Sequence, residues 1–253
     1  MLSIRNLSIC FNSHKAVDDI SLDLSPAKIT ALVGESGSGK SLTALSILQL
    51  LPQNAVLSGK ILFSRANTSD TDLLSISKKE IQKIRGNEIS MIFQEPMSSL
   101  NPRMKVGDQV REVIQLHKIS TRQQARNETI ALFQKVELPD PSGIYDRYPH
   151  QLSGGQKQRV MIAMAIACNP GLLIADEPTT ALDVRVQKSI LDLLKKQQQE
   201  SGMSILLITH DLGIVADYAD EVLVMHAGKI VESGTTENIL KAPQHAYTKG
   251  LLE

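Results

Sequence analysis

The chain has no tryptophan and only eight aromatic residues, four Phe and four Tyr, among 253 positions. So few rings weaken the case for a platform on which nucleic-acid bases stack. Charge of one sign is equally lacking: 27 Lys and Arg stand against 27 Asp and Glu, so the formal net charge is zero. With no Lys/Arg tract, the broad basic face of a nucleic-acid-coating protein is missing, and only a local basic patch fits the composition. Long apolar runs are absent as well. Residues 205–208 and 172–175 are among the longest, far short of the ~18 residues that cross a bilayer. The N-terminal stretch, interrupted by Arg5, Asn6 and Ser8, has no apolar core of a secretory signal. A chain that does not span a membrane and resides in the cytosol is the expectation. Cysteine is scarce too. Cys10 and Cys168 both lie in apolar contexts, which predicts small buried hydrophobes rather than a disulfide framework.

What is present is an ordinary globular composition, 42% hydrophobic with 15 glycines, which excludes intrinsic disorder. Apolar and polar residues alternate through Leu2, Ile4, Leu7 and Ile9 and again through Ile20, Leu22 and Leu24, the pattern of strands with one wet face. The short apolar run Ile29-Thr-Ala-Leu-Val33 ends at Gly34, and Leu42, Leu45, Leu48 and Leu51 then follow a helical spacing. This reads as strand, glycine loop, helix, with Pro52 and Gly59 ending the unit. Residues 89–93 supply another apolar strand. From about 95 to 168, helical spacing (Val110, Val113, Ile114, then Ile130, Phe133) runs without a strand signal and predicts a helical insert. Strands at 172–175, 205–209 and 222–225 then alternate with helices, the mark of a parallel sheet covered on both faces. The predicted fold class is α/β with an inserted α-helical subdomain.

The glycine loop reads Gly34-Glu35-Ser36-Gly37-Ser38-Gly39-Lys40-Ser41, with Leu42 next. It fits G-x-x-x-x-G-K-[ST] in full, after a strand and at a helix start, where backbone N–H groups can surround phosphate oxygens. In such a loop the lysine reaches the β- and γ-phosphates and the serine hydroxyl serves Mg²⁺, roles that fall to Lys40 and Ser41. Downstream, the strand at 172–175 ends in Asp176-Glu177-Pro178. Adjacent side chains at a strand end face opposite ways, which suits Asp176 to hold Mg²⁺ and Glu177 to activate or orient an attacking water. Between these sites, Leu152-Ser153-Gly154-Gly155-Gln156 offers a second set of helix N-terminal donors. One nucleotide's phosphates are already held by the first loop, so the second points to a different nucleotide.

With these motifs in order, the chain resembles the nucleotide-binding subunits of ATP-binding cassette (ABC) transporters over essentially its whole length. The resemblance rests on Phe11, the Gly34–Ser41 loop, Gln94, Leu152 to Gln156, Asp176 and Glu177, Ala181-Leu182-Asp183, and His210. It implies a P-loop NTPase (RecA-like) core with an N-terminal antiparallel β-subdomain. A single ABC ATPase domain would fill residues 1–253, with core at about 1–94 and 169–253 and helical subdomain at about 95–168. It implies ATP and Mg²⁺ as ligands, and a head-to-tail pair of cassettes sandwiching two ATP molecules. Phe11 would stack on adenine. Gln94 would contact the Mg²⁺ and water region, and His210 the γ-phosphate. Ser153 and Gly155 would act on the partner cassette's γ-phosphate, and Asp183 would lie across the dimer interface.

Two stretches are similar to the peptide/nickel importer branch: Phe93 to Pro102 with Tyr148-Pro-His-Gln, and the tail Pro243-Gln-His-Ala-Tyr-Thr-Lys-Gly-Leu-Leu252. The tail carries Ala246 where the branch has a proline, and ends at once, which leans toward nickel over dipeptide or oligopeptide as cargo. The resemblance implies a second, paralogous ATPase chain, two membrane permeases and, indirectly, an extracytoplasmic binding protein. It places the chain on the cytoplasmic face of the cell membrane, with a permease helix docking near residues 94–102. Non-transport ABC ATPases acting on DNA or ribosomes are the alternative, but they usually carry a long coiled coil or a second cassette. No sustained heptad run or second glycine loop occurs here.

Overall fold

A computed structural model describes residues 2–12, 14–64, 70–94, 100–118, 120–180 and 182–252, in two compact units: residues 1–82 with 202–253, and residues 83–201. In the first unit the alternating N-terminal segments form strands β1 (Leu2–Phe11) and β2 (His14–Leu24), paired antiparallel. Strand β3 (Ile29–Val33) follows, then helix α1 (Lys40–Ile47), β4 (Ala55–Phe63), β5 (Thr71–Asp72) and α2 (Lys78–Ile84). Strands β2, β1, β4 and β5 lie in that order in one antiparallel sheet.

Gly59 does not close a structural unit; it sits inside β4, which corrects the reading of it as a terminator. Pairing between β1 and β4 moves from Arg5↔Lys60 to Ser8↔Ser58, so Asn6 and Leu7 together face Gly59 in a β-bulge. Gly59 has φ 101°, and a Cβ there would stand 2.4 Å from the Asn6 carbonyl oxygen. The bulge slips the side-chain phase by one, which is why the buried series runs Leu2, Ile4, then Leu7, Ile9, all at most 1% exposed.

Helix α1 is shorter than the leucine spacing predicts. Gln49 takes a left-handed backbone and the Leu50 N–H returns to the Leu45 carbonyl, ending the helix before Leu51 and Pro52. Its buried residues include Thr43, Ala44, Ser46 and Ile47, whereas Leu42 and Leu45 are half-buried.

In the second unit, β6 (Ile89–Ile92) and β7 (Leu172–Asp176) pair in parallel. Between them come α3 (Val106–His117), α4 (Arg122–Lys135), α5 (Pro141–Tyr145), a 3₁₀ turn at Pro149–Gln151 and α6 (Gly154–Ile166); α7 (Val184–Ser201) follows β7. Among the described residues, 100–166 contain no strand. Val106, Val110 and Ile114 on α3 and Ala125 and Phe133 on α4 are fully buried at i, i+4 or i, i+8 spacing, the stripe that joins helices. Tyr145 fills the space over Gly107, where a Cβ would come 2.3 Å from its ring. Its hydroxyl donates to Asp108 and accepts from Arg111, while Arg126 covers the ring at 4.0 Å. Burial pushes the Tyr145 phenol above its ordinary value. Cys168 is buried and its thiol is likewise pushed up by burial, but Cys10 is only half-buried, short of the buried position its sequence context predicts.

The first unit is completed by β8 (Ser204–Thr209), α8 (Leu212–Tyr218), β9 (Glu221–His226), β10 (Lys229–Thr235), α9 (Thr236–Lys241) and α10 (Ala246–Leu252). Strand β3 is parallel to both β8 and β9, and β10 is antiparallel to β9. All five residues of β3 are buried, as the unbroken apolar run predicts for a central parallel strand. No described helix is long and apolar enough to cross a membrane.

Candidate functional site

The phosphate loop leaves β3 at Gly34 and enters α1 at Lys40, with Gly39 as N-cap. Close approach makes Gly34 necessary: a Cβ there would lie 2.0 Å from the Met225 carbonyl oxygen on the neighbouring β9. Glu35, Ser36 and Gly37 are exposed, whereas Gly34, Ser38, Gly39 and Lys40 are buried, and Ser41 and Leu42 are half-buried in the first turn. Lys40 is 6% exposed and folds its ammonium onto its own loop, donating to the carbonyls of Gly34 at 2.8 Å and Glu35 at 2.7 Å. The loop thus stores a buried cation beside a helix N-terminus, a paired arrangement that favours an anion.

His210 stands one residue beyond the Val33↔Thr209 pair of β3 and β8, so it leaves the sheet alongside Gly34. Its successor Asp211 caps α8 by accepting from the N–H groups of Gly213 and Ile214. Phe11 closes β1, half-buried and paired with Ala55 and His14. Strand β2 then runs past the loop, where a Cβ on Gly39 would meet the Ala16 carbonyl at 2.9 Å.

The acidic pair belongs to the second unit. Asp176 ends β7 at 5% exposure. A carboxylate so buried requires cationic or hydrogen-bonding company. Within the same unit the Gln94 side chain adds an amide oxygen, and carboxylate and amide oxygens are hard donors of the type Mg²⁺ prefers. Glu177 follows with a left-handed backbone, φ 46°, a strained conformation for a side-chain-bearing residue. Its Oε2 accepts from the Gln94 side-chain amide and from the Thr180 hydroxyl, each at 2.9 Å. The structure therefore brings Gln94 to Glu177, a pairing that spacing alone, 83 residues apart, does not reveal.

Thr180 and Gln158 escaped the sequence reading. Thr180 is legible in hindsight, since an i+3 hydroxyl in a turn commonly returns to a carboxylate. Gln158 is fully buried on α6 and donates to the Pro178 carbonyl, anchoring the turn that carries Glu177. Nothing in sequence marks it beyond its position after the glycine pair.

Ser153 caps α6 in a reciprocal box: its hydroxyl accepts from the Gln156 N–H at 3.3 Å and the Gln156 side chain accepts from the Ser153 N–H at 3.0 Å. Ser153 and Gly154 are exposed. Gly155 lets α6 approach α7, since a Cβ there would meet Val186 at 2.9 Å. Asp183 is exposed and caps α7 through the N–H groups of Arg185 and Val186. An apolar groove of about 170 Å³ lined by Met91, Phe93, Val113, Met161 and Met164 opens in the same unit, with Phe93 41% exposed. Residues 95–99 and Ala181, which the sequence reading also singled out, lie outside the described residues.

A family model described as "ABC transporter" matches residues 17–180, a span holding the phosphate loop, the Ser153 loop and the acidic pair. The chain belongs to the ABC transporter family and is its ATP-binding cassette. It is 53% identical, over its full length, to the peptidoglycan transport ATP-binding protein YejF of Agrobacterium fabrum, and 49% identical to the dipeptide transport ATP-binding protein DppD of Bacillus subtilis. The glutathione import ATP-binding protein GsiA of Salmonella choleraesuis is 48% identical. The chain spans 46% of YejF, 76% of DppD and 41% of GsiA, so about half the length of two of them. Among solved structures, a dimeric post-hydrolysis state of the ATP-binding cassette MJ0796 bound to ADP and Pi matches with TM-score 0.80 and 25% identity, over 93% of this chain and 99% of that one. CbiO1 of Clostridium perfringens, part of the cbiONQ ABC transporter complex, matches with TM-score 0.80 and 28% identity, over 95% of this chain and 90% of that one.

Proposed function

We propose that the chain is the ATP-hydrolysing subunit of an importer whose cargo is peptide-like. The observation that carries the hydrolytic half is Glu177, held by Gln94 and Thr180 directly after the buried Asp176. In this reading the nucleotide phosphates enter the loop at 34–42 and Lys40 transfers from the loop carbonyls to the β- and γ-phosphates. Ser41, Gln94 and Asp176 would hold Mg²⁺, which when bound neutralises phosphate charge. Glu177 orients the attacking water and takes its proton as the water oxygen bonds the γ-phosphorus and the bond to the ADP oxygen breaks. His210 contacts the γ-phosphate and Phe11 stacks on adenine.

One phosphate loop and one Ser153 loop in the chain support a sandwich in which each cassette serves the other's nucleotide. Ser153 to Gln156 and Asp183 then face the second ATPase, which in this branch is commonly a paralogous chain. We place two permeases in the same complex, one inserting a helix at the Phe93 groove, whose apolar lining suits it. A peripheral position on the cytoplasmic membrane face and an extracytoplasmic binding protein complete the assembly. The residues act as one ABC ATPase domain, with 95–168 as helical subdomain. The names borne by relatives at about half identity, dipeptide and glutathione among them, favour peptide over nickel.

Reconstituting the full complex in vesicles and adding loaded binding protein tests the cargo. Short peptides should stimulate ATP turnover; stimulation by nickel and not by any peptide would reverse the assignment.

A further inference from the structure

The last helix of the chain is fastened to the phosphate loop. The Glu35 backbone N–H donates to the Tyr247 hydroxyl at 3.0 Å, across 212 positions of sequence. In a phosphate loop the N–H groups that serve the ligand turn inward; this one is committed to a side chain of the protein itself. On its other side the same residue is held from within the loop, its carbonyl accepting from Lys40 Nζ at 2.7 Å and from the Ser38 N–H at 3.2 Å.

Tyr247 is itself well fixed. Its ring lies against His226 with centroids 3.9 Å apart, and it packs with Leu251 on the cluster of Ala31, Val33, Val215, Val222, Val224 and Ile239. The chain entering the helix is anchored by Glu232, whose carboxylate accepts from the N–H groups of Gln244 at 2.7 Å and His245 at 3.1 Å. All of these groups belong to one compact unit. Residue 247 lies beyond the 17–180 span of the family match.

The two ties on Glu35 differ in what a nucleotide does to them. Phosphate oxygens compete for the Lys40 ammonium and draw it off the Gly34 and Glu35 carbonyls, whereas the Glu35 N–H is held by a hydroxyl anchored outside the loop, on the last helix. We propose that Tyr247 is a positioning residue of the nucleotide site, holding the Glu35 peptide so that the loop keeps its shape when Lys40 moves to the phosphates. The inference rests on the loop being the ATP site.

Tyr247→Phe in the full chain removes the hydroxyl and keeps the ring. One neutral hydrogen bond is worth about 0.5–1.5 kcal/mol, so the ATP dissociation constant should rise about 2- to 12-fold. The KM for ATP should rise with it, while kcat at saturating ATP in the assembled complex and the melting temperature stay close to wild type. An unchanged dissociation constant, or a loss that appears only as a lower melting temperature, overturns the proposal. Amide exchange at Glu35 in the ATP-bound wild-type chain gives a reading independent of the variant. Protection there is expected, and exchange as fast as at an open loop amide overturns it. Failure of the wild-type chain to bind ATP would strike the site assignment; normal ATP binding with an indifferent Tyr247→Phe strikes only the role of Tyr247.

Discussion

Lys40 and Glu177 show how much of this site is set by single hydrogen bonds. Lys40 is kept buried by loop carbonyls, so its charge is already in place before phosphate arrives. Removing it in Lys40→Ala should cost the charge-assisted bonds to phosphate, about 1.5–3 kcal/mol, seen as a 10- to 100-fold or greater rise in the ATP dissociation constant; unchanged affinity would show that the loop does not hold phosphate. Thr180→Ala removes a hydroxyl donor to Glu177 Oε2 and no group assigned to the nucleotide. Turnover in the assembled complex should fall about tenfold with ATP affinity unaltered. A fall in affinity instead would place Thr180 at the nucleotide. Lys40, Asp176 and Glu177 could be singled out in sequence because Gly-rich loops and adjacent strand-end acids are local signals. Gln158 and Tyr247 could not, because their partners Pro178 and Glu35 come close only in the fold, and Thr180, three residues from Glu177, belongs to no motif.

At the scale of elements, buried parallel strands were the most legible parts. β3 coincides with the apolar run at 29–33 because a strand covered on both faces has no reason to interrupt its hydrophobic residues. The bulge in β1 left a trace too, the three-residue step from Ile4 to Leu7, yet Gly59 was mistaken for a terminator because a glycine signals both a chain break and a bulge. That choice depends on Asn6, whose carbonyl occupies the space a side chain would need. Gly59→Val should therefore destabilise the chain by more than about 1 kcal/mol through strain at positive φ, read from the midpoint of denaturant unfolding. A midpoint unchanged from wild type would deny the bulge. Helix α1 misled in the other direction: its leucine spacing continued past the point where Gln49 turns left-handed, since periodicity does not record backbone reversals.

For the molecule as a whole, the starting shortages acquire a sharper meaning. Zero net charge leaves no broad basic surface, but equal totals do not exclude local charge such as the buried Lys40 at a helix N-terminus or the strand-end pair Asp176 and Glu177. The family match and the 53% and 49% identity to two transport ATP-binding proteins agree on the class of the chain. The cargo was the least legible feature, because in the role proposed no residue of this chain meets it and only resemblance speaks to it. Glu177→Gln removes the carboxylate, held by Gln94 and Thr180, that the proposed hydrolysis depends on. Assembled with its partners, that variant should bind ATP as tightly as wild type and accumulate the closed, ATP-bound pair of cassettes while steady-state phosphate release falls to background. Undiminished phosphate release from the same assembly would contradict the account.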